Sequence, residues 1–331
     1  MRIAINGFGR IGRIFLRNVL SKPEITVVAI NDLSDIPTLA HLFKYDSVHR
    51  QFRGTVGFDH SNLIINNQNI KVFSEANPAD LPWRELEIDL VIECTGKFIS
   101  KQGASLHLDA GAGQVIISAP SSDKSVPTVV LGVNDIDFNF SSPIISNASC
   151  TTNNVAVMVK ILEDNWGIVD GYITTVHSMT TDQNLHDAPH KDLRRARAAS
   201  ASIIPTTTGA AKAITTIFPQ LKGHLGGAGI RVPVLNGSLT DFTCSLKSLT
   251  SVEAINNAFK NASSDTMSNI LEYTDEPIVS SDILDNPHSC IFDSRLTSIV
   301  GGLVKVVGWY DNESGYSNRL ADLVEKISLL N

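Results

Sequence analysis

The stretch "RIAINGFGRIGR", residues 2–13, decides the fold of the N-terminal half of the chain. It opens with a short apolar run typical of a strand and continues with apolar residues at helical spacing. Between the two lies a G-x-G-x-x-G motif, formed by Gly7, Gly9 and Gly12. Glycines there allow a tight turn and bring a pyrophosphate close to the N-terminus of the helix, where backbone N–H groups favour an anion. The stretch therefore predicts a dinucleotide-binding strand–turn–helix unit.

A carboxylate at the end of the next apolar run supplies the context that this motif requires. Asp32 closes "ITVVAIND" (25–32) and lies 20 residues beyond Gly12, the usual offset for an acidic residue that binds ribose hydroxyls. Its charge should also repel the extra phosphate of NADP, so the sequence favours NAD as the cofactor. The alternative interpretation is that the glycines only form a turn and that Asp32 is a solvated residue at a strand end.

Strand-like and helix-like segments alternate as far as about residue 150. Further β-branched apolar runs indicate a parallel sheet covered on both faces. These runs occupy residues 89–96, 114–120, 128–134 and 143–147. Within this half, "NLIINNQNIKVF" (62–73) predicts an inserted hairpin that turns at Asn67–Gln68.

The pattern changes in the second half of the chain. "RVPVLNGSLTDFTCSL" (231–246) alternates apolar and polar residues, which is typical of an antiparallel sheet with one buried face. Residues 316–330 carry a helical stripe that ends at Leu330. We therefore predict an α/β protein, with a doubly wound parallel sheet followed by an α+β domain whose sheet is mostly antiparallel.

Composition excludes several classes of function. The 331 residues carry a net charge of −7, with 43% hydrophobic and 18% charged residues, which is ordinary for a soluble globular protein. No run of Lys and Arg indicates a nucleic-acid or membrane surface. Met1 leads directly into a strand-like run, so we expect no export signal and a cytoplasmic location. The four cysteines show no C-x-x-C spacing, which predicts reduced thiols and no metal site.

One cysteine stands in an unusual setting. Cys150 lies within "SNASCTTNN" (146–154), among small polar residues that begin helices, with an apolar helical pattern behind them. A thiol at a helix N-terminus is expected to have a lowered pKa, and thiolate is the reactive form. The sequence therefore predicts a nucleophile at Cys150, whereas Cys94, Cys244 and Cys290 are expected to be small buried hydrophobes.

A nucleophile needs a proton acceptor, and His177 is the candidate. It closes the alternating run "GYITTVHS" (171–178), so its ring can project from a strand end into a cleft. Sequence spacing alone does not single it out among nine histidines, because catalytic partners meet in space and not along the chain.

Several motifs together resemble one family from end to end of the chain. They are "INGFGRIGR" (5–13), "SNASCTTN" (146–153), "HKDLRRARAAS" (190–200), "TTTGAAKA" (206–213), "RVPV" (231–234) and "WYDNESGYSN" (309–318). In this order they resemble phosphorylating glyceraldehyde-3-phosphate dehydrogenases. The resemblance implies a Rossmann-type NAD-binding domain over residues 1–149 with 315–331, and a catalytic domain over 150–314. It also implies a homotetramer in which the loop 178–201 packs near a neighbouring subunit's cofactor.

The resemblance further implies a reaction. Cys150 would attack the aldehyde carbon of glyceraldehyde 3-phosphate, and His177 would take the hydroxyl proton as hydride leaves for NAD. Inorganic phosphate would then attack the resulting thioester to give 1,3-bisphosphoglycerate. Arginine suits both phosphate sites, because its guanidinium group binds phosphate oxygens in a bidentate manner.

Site residues follow from the matching motifs. The substrate phosphate would be held by Thr180 and Arg231, and the attacking phosphate by Ser149, Thr151, Arg195, Thr208 and Gly209. NAD would be held by Gly7, Gly9, Arg10, Ile11, Gly12, Asp32, Ser118 and Asn312.

Three alternatives remain open from the sequence. The first is erythrose-4-phosphate dehydrogenase, although Thr180 and the intact "TTTGAAKA" favour the triose enzyme. The second is a non-catalytic regulatory paralogue, which no basic surface supports. The third is a paralogue that works mainly in the reverse direction. Ala188 replaces a leucine typical of strictly NAD-dependent relatives, so the sequence leaves the degree of NADP tolerance open.

Overall fold

The computed structural model describes residues 1–330. The chain divides into two compact units. The first contains Met1–Val129, Asp137–Ala148 and the chain from Ser317 onward, and the second contains Val130–Ile136 and Ser149–Tyr316. Residues 130–136 thus group with the second unit, although the predicted cofactor domain includes them.

The first unit holds one eight-stranded sheet. Its elements are β1 (Arg2–Asn6), α1 (Arg10–Val19), β2 (Thr26–Asn31), α2 (Ile36–Lys44), β3 (Val56–Phe58), β4 (Asn62–Ile65), β5 (Gln68–Phe73), β6 (Leu90–Glu93), α3 (Lys101–Asp109), β7 (Gln114–Ile117) and β8 (Ile144–Ser146). The strand order is β3-β4-β5-β2-β1-β6-β7-β8. All neighbouring pairs from β5 to β8 are parallel, and β3 and β4 add an antiparallel edge.

The parallel arrangement of this sheet agrees with its buried apolar strands. Every residue of β6 is buried, as expected for a parallel strand covered on both faces. The predicted hairpin is present, but its turn lies at Asn66 and Asn67, one residue earlier than predicted. Both have positive φ, 49° and 66°, as a two-residue turn that matches the strand twist requires. Asparagine tolerates this conformation, and the pairing of Ile65 with Gln68 closes the hairpin.

The strand predicted at 128–134 is wrong. The chain turns there because Gly132 adopts φ +75°. The side chains of Asn134 and Asp135 accept the backbone N–H groups of Val130 and Gly132, each at 2.8 Å. Side chains thus replace the hydrogen bonds that a neighbouring strand would provide.

The second unit is built around an antiparallel core. Its elements are α4 (Cys150–Trp166), β9 (Ile168–His177), β10 (Ile204–Thr206), α5 (Ala210–Ile217), β11 (Leu225–Arg231), β12 (Ser238–Leu246), α6 (Val252–Ser264), β13 (Leu271–Thr274), β14 (Cys290–Asp293), β15 (Ser298–Val300) and β16 (Leu303–Tyr310). The strand order is β10-β11-β9-β12-β16-β14-β13, with β15 beside β16. Only the β11–β9 and β13–β14 pairs are parallel. These two sheets confirm the predicted fold class.

The alternating stretch 231–246 does not form one continuous strand. β11 ends at Arg231 and β12 begins at Ser238, so residues 232–237 form a loop. Gly237 has φ +88°, and a Cβ atom there would lie 2.4 Å from the carbonyl oxygen of Ser280. This loop connects Arg231, at the end of β11, to the start of β12.

Two long helices complete the fold. α4 packs against β12 and β16 with a buried apolar face that includes Val157 and Met158. The last helix, α7 (Ser314–Leu330), buries most of the predicted stripe, but Leu330 is exposed. Over residues 1–330, no helix has both the length and the apolar character that crossing a lipid bilayer demands.

Candidate active site

The turn after β1 has the geometry of an anion site. Gly7 has φ +91°, and a Cβ atom there would lie 2.8 Å from the backbone nitrogen of Thr95. A Cβ atom at Gly12 would lie 2.4 Å from the carbonyl oxygen of Gly7. Packing within the chain therefore requires these two glycines. A Cβ atom at Gly9 would meet no described atom within 4 Å, so the open space beside Gly9 is available to a ligand.

Gly9 is also the N-cap of α1, and no side chain caps the helix there. The N–H groups at the start of α1, around Arg10 and Ile11, can therefore point toward an external anion. The guanidinium group of Arg10 forms a bidentate pair with Asp46. Burial alone would raise the pKa of Asp46, but Arg10 and backbone N–H groups lower it to about 2. Arg10 can therefore contribute its backbone to a pyrophosphate while its side chain supports the turn.

Asp32 directly follows β2 and is half-buried. Its Oδ2 accepts the backbone N–H of Phe8 at 2.8 Å, and its Oδ1 accepts that of Ser34 at 2.9 Å. Two backbone donors thus fix the carboxylate beside the glycine turn. Ser118 directly follows β7, at the carboxyl edge of the same parallel sheet, where ligands of such folds bind.

In the second unit, Cys150 and His177 come together. Cys150 is the first residue of α4, and His177 is the last residue of β9. The Sγ atom of Cys150 lies 3.6 Å from Nε2 of His177. Nδ1 of His177 lies 2.8 Å from the carbonyl oxygen of Ser178, which can only accept a hydrogen bond. Nε2 is the ring nitrogen that faces the thiol, and it is a proton acceptor in the tautomer in which Nδ1 donates to Ser178.

The expected lowering of the thiol pKa is not found. Burial raises the pKa of Cys150 above its ordinary value, although the charge of Arg231 and the backbone N–H of Thr151 act in the opposite direction. Burial, followed by the charge of Arg231, lowers the pKa of His177 to about 3. Both directions favour the uncharged forms, a thiol beside a neutral imidazole. Cys150 is half-buried, and the loss of solvation acts against the helix dipole.

Arg231 ends β11 directly beside this pair. In the parallel pairing of β11 with β9, Arg231 lies opposite His177. Its Nη1 contacts Nδ1 of His177 and donates to the carbonyl oxygen of Ser178 at 3.1 Å. A guanidinium group can only donate, so in the tautomer with hydrogen on Nδ1 the carbonyl oxygen of Ser178 is the acceptor for both groups. Arg231 thus brings a positive charge close to the reacting sulfur.

A second cluster joins Thr180 and Arg195 through a residue that the sequence analysis does not select. Asp182 accepts the hydroxyl of Thr180, and its Oδ2 lies 2.6 Å from Nη1 of Arg195. Nε of Arg195 also donates to Thr206 at 3.0 Å. Burial raises the pKa of Asp182, but Thr180 and the charges of Arg231 and Arg195 lower it overall. Asp182 is therefore a carboxylate among groups predicted to bind phosphate.

The other predicted phosphate ligands lie at helix starts. Ser149 is the N-cap of α4, and its Oγ accepts the N–H of Thr152 at 3.1 Å. Thr151 is buried, and its hydroxyl bonds to that of Tyr310 at 2.9 Å. Gly209 is the N-cap of α5 and has no side-chain cap, like Gly9.

Thr208 precedes Gly209, and its Oγ1 accepts the N–H of Ala210 at 3.2 Å. Within residues 1–330, no hydrogen bond joins Arg195 to Thr208 or Gly209. Arg195 and the start of α5 are therefore two separate groups that can donate hydrogen bonds to a phosphate.

Asn312 is held in one orientation by two hydroxyl groups. Its Oδ1 accepts from Ser178 and from Ser238, each at 2.8 Å. Its amide NH₂ therefore remains the donor for a ligand. Asp182, Tyr310, Ser178 and Ser238 were missed by the sequence analysis. Tyr310 lies inside the quoted motif 309–318, whereas isolated Ser and Asp residues give no signal.

Comparisons with known proteins bear on the whole chain. A family model described as glyceraldehyde 3-phosphate dehydrogenase, NAD binding domain, matches residues 1–101, and one described as glyceraldehyde 3-phosphate dehydrogenase, C-terminal domain, matches residues 149–312. Curated glyceraldehyde-3-phosphate dehydrogenases from Mycobacterium avium, Mycobacterium tuberculosis and Streptomyces coelicolor are 54%, 53% and 52% identical to this chain. Each comparison covers 98% of this chain and 97% of the relative.

Proposed function

Because this chain belongs to the glyceraldehyde-3-phosphate dehydrogenase family, we propose that Cys150 is its nucleophile and His177 its general base. The enzyme is an NAD-dependent oxidoreductase of glycolysis that converts glyceraldehyde 3-phosphate and inorganic phosphate into 1,3-bisphosphoglycerate. The separation of 3.6 Å between the sulfur and Nε2 is the observation that carries the assignment of the two residues.

The first step is addition of sulfur to the aldehyde carbon. Nε2 of His177 takes the thiol proton as the carbon–sulfur bond forms and passes it to the carbonyl oxygen, which becomes the hydroxyl of a thiohemiacetal. A thiol with a raised pKa requires such a base, because little thiolate is present beforehand. The lowered pKa of His177 keeps its ring neutral at physiological pH, so Nε2 is not already protonated, although the ring is a weaker base than free imidazole.

The second step is oxidation, for which NAD, held by Asp32 and the N–H groups at the start of α1, would supply the hydride acceptor. His177 takes the hydroxyl proton as the carbonyl re-forms, and the product is a thioester on Cys150. A phosphate oxygen then attacks this thioester, the carbon–sulfur bond breaks, and the imidazolium returns its proton to the leaving sulfur. Arg231 stabilises the negative charge that develops near the sulfur and oxygen.

We assign the remaining ligands as the family motifs imply. Thr180 and Arg231 hold the substrate phosphate, and Arg195, Thr208 and Gly209 hold the attacking phosphate together with Ser149 and Thr151. Asp32 binds the ribose hydroxyls, and the N–H groups at the start of α1, around Arg10 and Ile11, bind the pyrophosphate. Gly7, Gly9 and Gly12 let the pyrophosphate approach. Asn312 contacts the nicotinamide carboxamide, and Ser118 contributes from the edge of the sheet where the cofactor binds. Asp32, fixed by two backbone N–H groups, supports the preference for NAD.

We also propose that the protein is a cytoplasmic homotetramer. Large apolar side chains are exposed along the loop 178–201 and just beyond it. Leu185, Leu193 and Ile203 are 77%, 81% and 70% exposed, and a neighbouring subunit would cover them. All four cysteines are free thiols, which suits a reducing compartment.

The function is tested by following NADH formation with the purified enzyme. Glyceraldehyde 3-phosphate and erythrose 4-phosphate are compared, each with and without phosphate or arsenate, and with NAD or NADP. We expect fast, phosphate-dependent turnover of the triose with NAD. Cys150→Ser is the control and should lose activity by roughly 10⁴-fold or more, as removal of a covalent nucleophile does. Faster turnover of the tetrose, or turnover that ignores phosphate, would contradict the proposal.

A further inference from the structure

A row of buried polar side chains crosses the first unit beneath the glycine turn. It consists of Asn31, Asn6, Glu93, His107 and Trp83, which we call the polar row. Glu93 is 1% exposed, and His107 and Trp83 are fully buried. None of these residues belongs to the proposed reaction, and a buried carboxylate is costly unless donors surround it.

Glu93 lies at the centre of the row and is fully satisfied. Its Oε2 accepts from Nδ2 of Asn6 at 2.6 Å and lies 3.2 Å from Nε2 of His107. Its Oε1 accepts the backbone N–H of Thr95 at 2.7 Å and also the hydroxyl of Thr95. Four donors therefore converge on one carboxylate.

Trp83 fixes the tautomer of His107. The indole Nε1–H can only donate, and it lies 3.0 Å from Nδ1 of His107. Nδ1 is therefore the acceptor, and Nε2 carries the hydrogen that points to Glu93. Nδ2 of Asn6 also lies 3.3 Å from this Nε2. Both nitrogens are then donors, so each donates to the carboxylate of Glu93 and not to the other.

The other end of the row connects further loops. Nδ2 of Asn31 donates to Oδ1 of Asn6 at 2.8 Å and to the backbone oxygen of Glu75 at 2.9 Å. Oδ1 of Asn31 accepts the N–H of Glu75 at 2.8 Å. The row thus touches the segments that follow β1, β2, β5 and β6, which are four adjacent parallel strands.

Backbone bonds tighten the same junction. The N–H of Gly7 donates to the carbonyl of Asn31 at 2.8 Å, and that of Cys94 donates to the carbonyl of Asn6 at 2.7 Å. Gly7 packs so closely on Thr95 that a Cβ atom would lie 2.8 Å away. A small shift of the Thr95 segment would therefore move the glycine turn, and with it the N–H groups at the start of α1.

We propose that Glu93 and His107 are positioning residues for the dinucleotide, which set the glycine turn and the Asp32 segment through the polar row. This inference rests on the proposed use of these two segments for NAD. It predicts that loss of the hydrogen-bond donor at position 107 weakens dinucleotide binding. The loss should be larger than in a variant that is equally destabilised at another position of the first unit.

The test compares His107→Leu with His107→Gln in the full-length enzyme. The glutamine keeps a donor toward Glu93, whereas the leucine of similar size removes it. Glu93→Gln is the third variant, because an amide nitrogen there would face the N–H of Thr95 or the NH₂ of Asn6. Val115→Ala, in the buried core of β7, is the matched control for general destabilisation, and thermal melting ranks all four variants.

Dissociation constants of NAD and of ADP-ribose are measured by calorimetry, with KM and kcat beside them. We expect His107→Leu and Glu93→Gln to weaken both ligands by about 10- to 100-fold, the usual cost of an unsatisfied buried group near a charge. We expect His107→Gln and Val115→Ala to change both dissociation constants by no more than about threefold. The glutamine retains a hydrogen-bond donor, and the valine side chain has no hydrogen bond to lose. KM for NAD should rise while kcat at saturating NAD is retained.

Two results would overturn the inference. One is equal affinity of His107→Leu and His107→Gln for both ligands, and the other is a loss in His107→Leu no larger than in Val115→Ala. If Glu93→Gln does not fold, the leucine–glutamine pair decides alone. Failure of the wild-type enzyme to bind NAD would instead refute the proposed function, so the two failures are distinct.

Discussion

The starts of α1 and α4 both lie at proposed binding or catalytic sites, yet the N–H groups of the two helix starts have different hydrogen-bond partners. α1 begins after Gly9, which supplies no side-chain cap. α4 begins after Ser149, whose hydroxyl accepts the N–H of Thr152 at 3.1 Å. One helix start is left open for an anion from outside, and the other is already occupied by the chain itself.

The difference fits the direction of the Cys150 pKa, which is raised although the residue begins a helix. Part of the positive end of α4 is satisfied by Ser149, and burial raises the pKa of Cys150 beyond what Thr151 and Arg231 can offset. The nucleophile therefore depends on its base. At α1 no such dependence arises, because a dinucleotide would bring its own permanent charge to the open N–H groups.

The largest expected effect tests this dependence directly. His177→Asn should slow turnover by roughly 10²- to 10⁴-fold, the usual contribution of a positioned base. Single-turnover measurements of NADH formation would locate the loss in acylation. Arg231 and the helix start remain in this variant, so activity close to wild type would show that α4 alone activates the sulfur, and the contrast with α1 would disappear.

The pH dependence of alkylation examines the same contrast without the reaction. Because burial raises the pKa of Cys150, thiolate is scarce at neutral pH and becomes more abundant as pH rises. The rate with iodoacetamide should therefore increase about tenfold per pH unit from neutral into alkaline solution. His177→Asn should leave this profile nearly unchanged, since the pKa of His177, about 3, keeps its ring neutral throughout.

A plateau of alkylation below neutral pH would reveal a thiolate–imidazolium pair instead. Arg231→Gln sharpens the measurement, because loss of the guanidinium charge should move the profile further toward alkaline pH. Arg231→Lys, which keeps the charge, is the matched control. Equal profiles for the two variants would remove Arg231 from the electrostatics of the thiol.

Asp32→Ala tests the open side of the comparison, with a smaller expected loss. NAD binding should weaken by about tenfold or more, because a carboxylate that receives ribose hydroxyls forms charge-assisted hydrogen bonds. NADP should be affected less, since the variant also loses a repulsive charge. Calorimetric titration with each dinucleotide measures both effects, and equal losses for the two would contradict the ribose role.

Features of the structure that depend on residues close together in sequence could be predicted, whereas features that depend on residues distant in sequence could not. β1, β2 and the glycine turn between β1 and α1 are set by neighbours in sequence, so the pattern within residues 2–32 was enough to predict them. The hairpin turn was displaced by one residue because several asparagines in that stretch tolerate positive φ. The strand at 128–134 failed because side chains of Asn134 and Asp135 capture backbone N–H groups that composition alone assigns to a sheet.

Side-chain electrostatics lie beyond such local patterns. The direction of the Cys150 pKa depends on burial and on Arg231, which is distant in sequence and reaches the site only because β11 pairs with β9. The polar row gives no sequence signal either, since Glu93 and His107 are single residues whose meaning appears only when their strands and helix are assembled. Asp182 was overlooked because a carboxylate is an unexpected neighbour for phosphate ligands.

Asp182 provides the smallest and most specific test. Its carboxylate holds Arg195 at 2.6 Å and accepts from Thr180, so the chain itself occupies donors that phosphate needs, much as Ser149 occupies the start of α4. Asp182→Asn removes this competing charge, and KM for inorganic phosphate should fall by about threefold, because a half-exposed ion pair contributes little. Asp187→Asn, which breaks the exposed pair with Arg197 in the same loop, is the control and should leave that KM unchanged. A higher KM in Asp182→Asn would show that the carboxylate orients Arg195 for phosphate and does not compete with it, and the second unit would then be as open to anions as the first.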